Sequence, residues 1–127
     1  DLVVSEQLGR SSVLINQTEH PAEVWQLACH GTAGSNRSAI GTRIIAWDVQ
    51  PPLMRELVGG GSFQSASSPE LHFAGLPTRT ARFDVVWPDG TKETTGELVA
   101  GRYTLVQGQP PRKLPTDDSS GVFAPLR

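Results

Sequence analysis

Along the chain, apolar residues recur at every second position in short runs. No window of about eleven residues carries them at i, i+3, i+4 and i+7 without a Gly or Pro interrupting. Runs rich in Val, Ile, Thr and aromatic residues predict strands at Leu2–Ser5, Val13–Asn16, Val24–His30, Arg43–Trp47, Leu53–Val58, Glu70–Ala74, Ala81–Trp87, Lys92–Glu97 and Arg102–Val106. One strand for about every ten residues predicts an all-β fold with little or no helix. An antiparallel β-sandwich is the first choice and a small, partly open β-barrel the alternative.

The sharpest local signal spans Ala81 to Thr95. Ala81, Phe83, Val85 and Trp87 alternate with Arg82, Asp84 and Val86, the pattern of a half-buried strand. Pro88-Asp89-Gly90 then supplies a preset φ, a carboxylate able to bond the backbone ahead, and a residue free to take φ > 0. A hairpin follows, with Lys92–Thr95 as the polar return. Gly59-Gly60-Gly61-Ser62 reads as a wide turn or bulge, since neither a P-loop ending nor a helix-forming stretch follows it. After Gln107 the residues Gly108, Pro110, Pro111 and Pro115 and the run 117–121 predict an irregular or disordered tail over 108–127, with Phe123 a possible anchor on the body.

Composition narrows the class. The chain has 127 residues, one domain's worth, with 13 Gly and 10 Pro, a turn-rich proportion. Eleven basic against 13 acidic residues give a net charge of −2 and remove the electrostatic case for nucleic acid. No apolar run approaches the ~20 residues of a membrane-spanning helix, so membrane insertion is not expected. A single cysteine, Cys29, excludes an internal disulfide; it shares a strand face with Trp25 and Leu27 and reads as a core residue, a reactive thiol being the alternative.

Catalytic chemistry finds no foothold. HExxH, GxSxG and SxxK are absent, and the one adjacent acidic pair, Asp117-Asp118, lies in the tail. His20, His30 and His72 read as solvated or structural; His72 points away from Leu71 and Phe73 in strand geometry. Asp89 alone cannot make a calcium loop. The expectation is a non-enzyme with no cofactor and no metal.

Gly34-Ser35-Asn36-Arg37-Ser38-Ala39-Ile40-Gly41-Thr42-Arg43 resembles the SNR-x-AIG-x-[RK] motif of the ASPIC/UnbV domain family. Arg55–Ser65 is similar to that family's glycine-rich segment, Ser68–Leu76 to its P-x-LHFGLG block, and Val85–Gly90 to its V-x-WPDG hairpin, in the same order. Ala74 and Pro77 stand where the third block usually has glycines. In that family, which includes cartilage acidic protein-like proteins, the domain commonly follows FG-GAP/VCBS repeats, the blades of an integrin-like propeller. The resemblance therefore implies a division into 1–18, a remnant of a preceding repeat packed on the body; 19–107, the β domain; and 108–127, the tail. The chain opens inside its first strand without a leader, which reads as a piece of a longer exported protein.

No catalytic residues attach to that family, so the resemblance implies an extracellular, periplasmic or cell-surface adhesion-type module whose partner is a protein or a glycan. Two readings of the motif stand. In the structural one, Asn36 closes an Asx-turn, Gly41 supplies a backbone position free of Cβ strain, Ile40 plugs the core, and Arg37 and Arg43 pair with carboxylates. In the other, Asn36 and Arg37 form a binding edge with Gly60 and Ser62 of the glycine-rich loop. Asn36-Arg37-Ser38 and Asn16-Gln17-Thr18 also match glycosylation acceptors. Trp25 and Trp87 read as buried, whereas Trp47, ahead of Asp48 and Pro51-Pro52, is the one tryptophan placed for exposure and for stacking on a sugar. The remaining alternatives are a structural cap on the propeller, the rest of the same longer chain, and a glycan-binding accessory domain.

Overall fold

The computed structural model describes residues 1–6, 8–19, 22–32, 34–61, 63 and 66–115. Within them the chain forms β1 (Leu2–Val4), β2 (Ser12–Leu14), β3 (Val24–His30), β4 (Arg43–Ala46), β5 (Leu53–Glu56), β6 (Glu70–Ala74), β7 (Thr80–Val86), β8 (Lys92–Val99), β9 (Gly101–Val106) and β10 (Arg112–Lys113), and no helix. All nine predicted strands are present. The tenth, β10, lies in the stretch read as an irregular tail: Arg112 pairs with Thr104 and Lys113 with Tyr103, and the Leu114 amide donates to the Arg102 carbonyl at 2.8 Å. Pro110 and Pro111 obscure this strand in the sequence, but they precede the paired residues and cost the ladder no donor. Phe123 and the rest of 116–127 lie outside the described residues, as do His20 and Ser62.

Two four-stranded sheets, β10-β9-β3-β6 and β5-β4-β7-β8, make the sandwich, and neither closes into a barrel. Pairing is antiparallel except between β3 and β9, which run parallel from Trp25↔Gly101 to His30↔Val106. β1 and β2 form a separate antiparallel pair, as the opening sequence predicts. The apolar side chains of that pair, Leu2, Val3, Val4, Val13 and Leu14, are nevertheless exposed rather than covered by the body.

Alternation builds the core. Trp25, Leu27 and Cys29 of β3 and Leu71 and Phe73 of β6 face Ile44 and Ala46 of β4 and Ala81, Phe83 and Val85 of β7, and all are buried. Phe83 joins the layers: its ring centroid lies 6.2 Å from Trp25, edge-on, and 5.0 Å from Phe73, tilted. The buried Trp25 indole N–H donates to the Leu98 carbonyl at 2.9 Å, tying β3 to β8. Strict alternation in β8 would turn Glu97 inward after Glu93 and Thr95. A bulge prevents this. Arg82 pairs with Glu97 but Asp84 with Thr94, the spare residue being absorbed at Thr95-Gly96, where Gly96 has φ 70°. The Phe83 amide donates to Thr95 Oγ1 at 3.2 Å, and the slipped parity buries Leu98 while Glu97 faces solvent beside Arg82.

Candidate functional site

The motif loop between β3 and β4 carries the chain from one sheet to the other. Asn36 clamps it: its Nδ2 donates to the Ile40 carbonyl (2.8 Å) and its Oδ1 accepts from the Ile40 amide (2.9 Å). This closes a wider loop than the Asx-turn expected, and the Ala39 amide adds a bond to the Asn36 carbonyl at 2.8 Å. Ala39 has φ 54° and Gly41 φ 96°. The left-handed turn at Ala39 reverses the expected facing: Ala39 is fully buried, and Ile40, read as the core plug, is 45% exposed. Arg37 and Arg43 are exposed and, among the described residues, form no ion pair, which corrects the expectation that carboxylates hold them.

The loop does meet the glycine-rich segment. The Gly41 amide donates to the Leu57 carbonyl (2.8 Å) and the Leu57 amide to the Thr42 carbonyl (2.9 Å). A Cβ on Gly59 would sit 2.9 Å from Cδ1, the tip of the exposed Ile40 side chain, so the two loops come close together here. Asn36 and Gly41 thus lie in a loop bonded to the glycine-rich segment at Leu57, whereas among the described residues no contact joins Arg37 to Gly60, which has φ 139°; these residues give no placement for Ser62.

On its other side the motif loop is held by Asp89 in the predicted turn. The Gly90 amide donates to the Trp87 carbonyl (2.9 Å), the Trp87 amide to the Thr91 carbonyl (2.8 Å), and Gly90 has φ 88°, a type I turn with a glycine bulge. Asp89 accepts from the Thr91 amide (2.9 Å) and from Gln107 Nε2 (2.8 Å), while Gln107 Oε1 accepts from the Thr32 amide (3.2 Å). The Thr91 amide first and the Gln107 amide second hold the Asp89 carboxyl below its usual value near 3.8.

Arg43 and Trp47 lie elsewhere, on the outer face of the sheet β5-β4-β7-β8, because residues 43, 45 and 47 share one side of β4 and its extension. Trp47 is 54% exposed, against 0% for Trp25 and 2% for Trp87. Its indole N–H donates to Asp84 Oδ2 at 2.8 Å, and the Thr94 hydroxyl donates to Asp84 Oδ1 at 2.8 Å. Ile45, Trp47, Asp84, Val86, Lys92 and Thr94 line a shallow groove of about 310 Å³. Asp84 is the residue of this candidate site that the sequence left unmarked. Its contact with Thr94 follows from counting back from the turn, since Val86↔Lys92 places Asp84 opposite Thr94; its contact with Trp47 depends on the β4–β7 pairing, which no local pattern reveals.

Cys29 is buried, and desolvation pushes its thiol up to about 12, so it is a core residue rather than a nucleophile. His30 and His72 are exposed at the surface of β3 and β6. No group of three or more His, Cys, Asp or Glu side chains among the described residues is placed to hold a metal ion.

No match was found among curated proteins or solved structures. The family model described as ASPIC and UnbV matches residues 31–112, from the start of the motif loop into β10. That match spans more than half of the chain and contains the clamped loop, the glycine-rich segment and the turn at Asp89, so the chain belongs to the ASPIC and UnbV family.

Proposed function

We propose that this chain is a non-catalytic recognition module, working outside the cytoplasm on a cell-surface protein or glycan, beside an integrin-like propeller of its own longer chain. The observation that carries this reading is Trp47: a large aromatic ring left half in solvent, yet fixed in orientation by Asp84 on a sheet face. An aromatic anchor on a rigid element, ringed by polar groups, is what recognition surfaces use. The clamped motif loop supports a structural role for Asn36 and Gly41, leaving recognition to the sheet face. The test is sedimentation of the labelled domain with cell envelopes of the species that encodes it. Saturable binding, weakened by Trp47→Ala and Arg43→Ala, is expected; binding that does not saturate, or that both variants retain in full, would refute it. Protease accessibility of a tagged chain in intact cells tests the location.

A second reading, a cap on the propeller, is favoured by the β1–β2 pair. A lone two-stranded ribbon with exposed Leu2, Val3, Val13 and Leu14 is only marginally stable in water and calls for a further β-surface. Removing residues 1–18 leaves the stability of the sandwich unchanged if this pair serves the preceding repeat, and lowers it if the pair belongs to the body.

A further inference from the structure

We propose that the outer face of the sheet β5-β4-β7-β8 binds a neutral hexopyranose unit of a polysaccharide, stacked on Trp47 and hydrogen-bonded by Asp84, Thr94 and Lys92. This rests on the recognition reading and names its ligand.

The register sets the face. Met54, Ile45, Asp84 and Thr94 form one cross-strand row; Glu56, Arg43, Val86 and Lys92 form the next, toward the turn. Trp47 lies two residues beyond Ile45, about 7 Å along the strand. Apolar and polar groups therefore lie side by side across this face. The groove of about 310 Å³ falls at the small end of ligand sites, which run from roughly 300 to 1,000 Å³.

The chemistry of a sugar ring is the counterpart of this arrangement. A hexopyranose carries C–H bonds on one face and hydroxyls around its edge. Its C–H face suits the electron-rich face of an indole, and its hydroxyls need donors and acceptors together. Trp47 supplies the ring, and the bond to Asp84 holds it in place, so little side-chain entropy is lost on binding. An ionised carboxylate has about four acceptor positions, and Trp47 and Thr94 occupy two of those on Asp84, leaving about two for sugar hydroxyls. The Thr94 hydroxyl, whose hydrogen is engaged with Asp84, can accept; the exposed Lys92 ammonium donates. Asp84 and Glu56 balance Arg43 and Lys92 on this face, which leaves no net positive charge to draw a uronic acid or a sulfated sugar, and so the ligand is neutral.

Affinity electrophoresis of the full chain tests this, in gels holding β-1,3-glucan, hydroxyethylcellulose, mannan or arabinogalactan, with polygalacturonate and heparin as anionic arms. At least one neutral polymer is expected to retard the wild type. Trp47→Ala should weaken that retardation about tenfold or more, Asp84→Asn should weaken it by a similar factor, and Trp47→Phe should retain part of it. A measurement on the unaltered protein stands beside the variants: the same polymer should shield tryptophan emission from iodide, since Trp47 is the exposed tryptophan of the three. No retardation by any neutral polymer, retardation by the anionic polymers alone, or equal retardation of Trp47→Ala would overturn the proposal. If envelopes still bind the chain through Trp47 while every neutral polymer fails, the sugar assignment falls and the recognition reading survives. If envelopes fail as well, both fall.

Discussion

Replacing Phe83 tests the packing of the two sheets directly. The ring is fully buried and touches Trp25 and Phe73, both on the opposite sheet, at centroid distances of 6.2 and 5.0 Å. Phe83→Ala removes the buried area and leaves a hole between layers, a loss of about 3–5 kcal/mol. Phe83→Leu keeps most of the apolar volume but gives up two aromatic pairs worth about 0.5–1.5 kcal/mol each, so about 1–3 kcal/mol is expected. Against a total stability of roughly 5–15 kcal/mol, the alanine variant should be marginal and the leucine variant folded. Urea titration followed by tryptophan emission reads both, with an unchanged slope showing that the unfolding transition is the same one. A double-mutant cycle with Phe73→Leu should return a positive coupling of about 0.5–1.5 kcal/mol. If Phe83→Leu lies within about 0.5 kcal/mol of wild type and the cycle shows no coupling, Phe83 does not join the layers as described.

Asn36→Ala should cost about 1 kcal/mol, the two bonds to Ile40 being solvent-exposed, and leave ligand binding at Trp47 unchanged; calorimetry and the electrophoresis above separate the two effects. Cys29, with its thiol at about 12, should carry roughly one thiolate in 10⁴ molecules at pH 8. It should therefore resist a thiol-specific disulfide reagent until urea unfolds the chain, and rapid labelling of the native protein would refute its place in the core. Asp89 has its folded-state pKa lowered, so its contribution is complete above the unfolded value near 3.8 and is lost as pH falls through the folded value. Acid titrations of stability should be shallower in this range for Asp89→Asn than for wild type, and identical slopes would remove Asp89 from the account.

Local pattern carried far in this chain. Every predicted strand exists because alternation and turn residues agree, and the Pro88–Gly90 turn forms with each residue in its foreseen part. What escaped has physical reasons. β10 is two residues long and follows two prolines, so its existence depends on β9 offering an edge. The parallel partnership of β3 and β9 joins segments with no local signal between them. Ile40 and Ala39 exchanged roles because a non-glycine residue took a left-handed conformation, which sequence discourages. At the site, the exposure of Trp47 was readable from the prolines after it. The companionship of Trp47 and Asp84 was not, because it arises only when β4 and β7 lie side by side.

The parallel pairing also sets the tempo of assembly. Trp25 and Gly101, 76 residues apart, are bonded neighbours in the middle of one sheet. The β7–β8 hairpin closes over a few residues and can form within microseconds, but β3 waits for nearly the whole domain to leave the ribosome before its second edge is filled. Until then one side of β3 is an open backbone ladder carrying Trp25 and Leu27, available to any passing strand. Folding of this module is therefore paced from its C-terminal third, and truncation before Val106 should convert a closed sandwich into a chain with an unsatisfied edge and a tendency to aggregate.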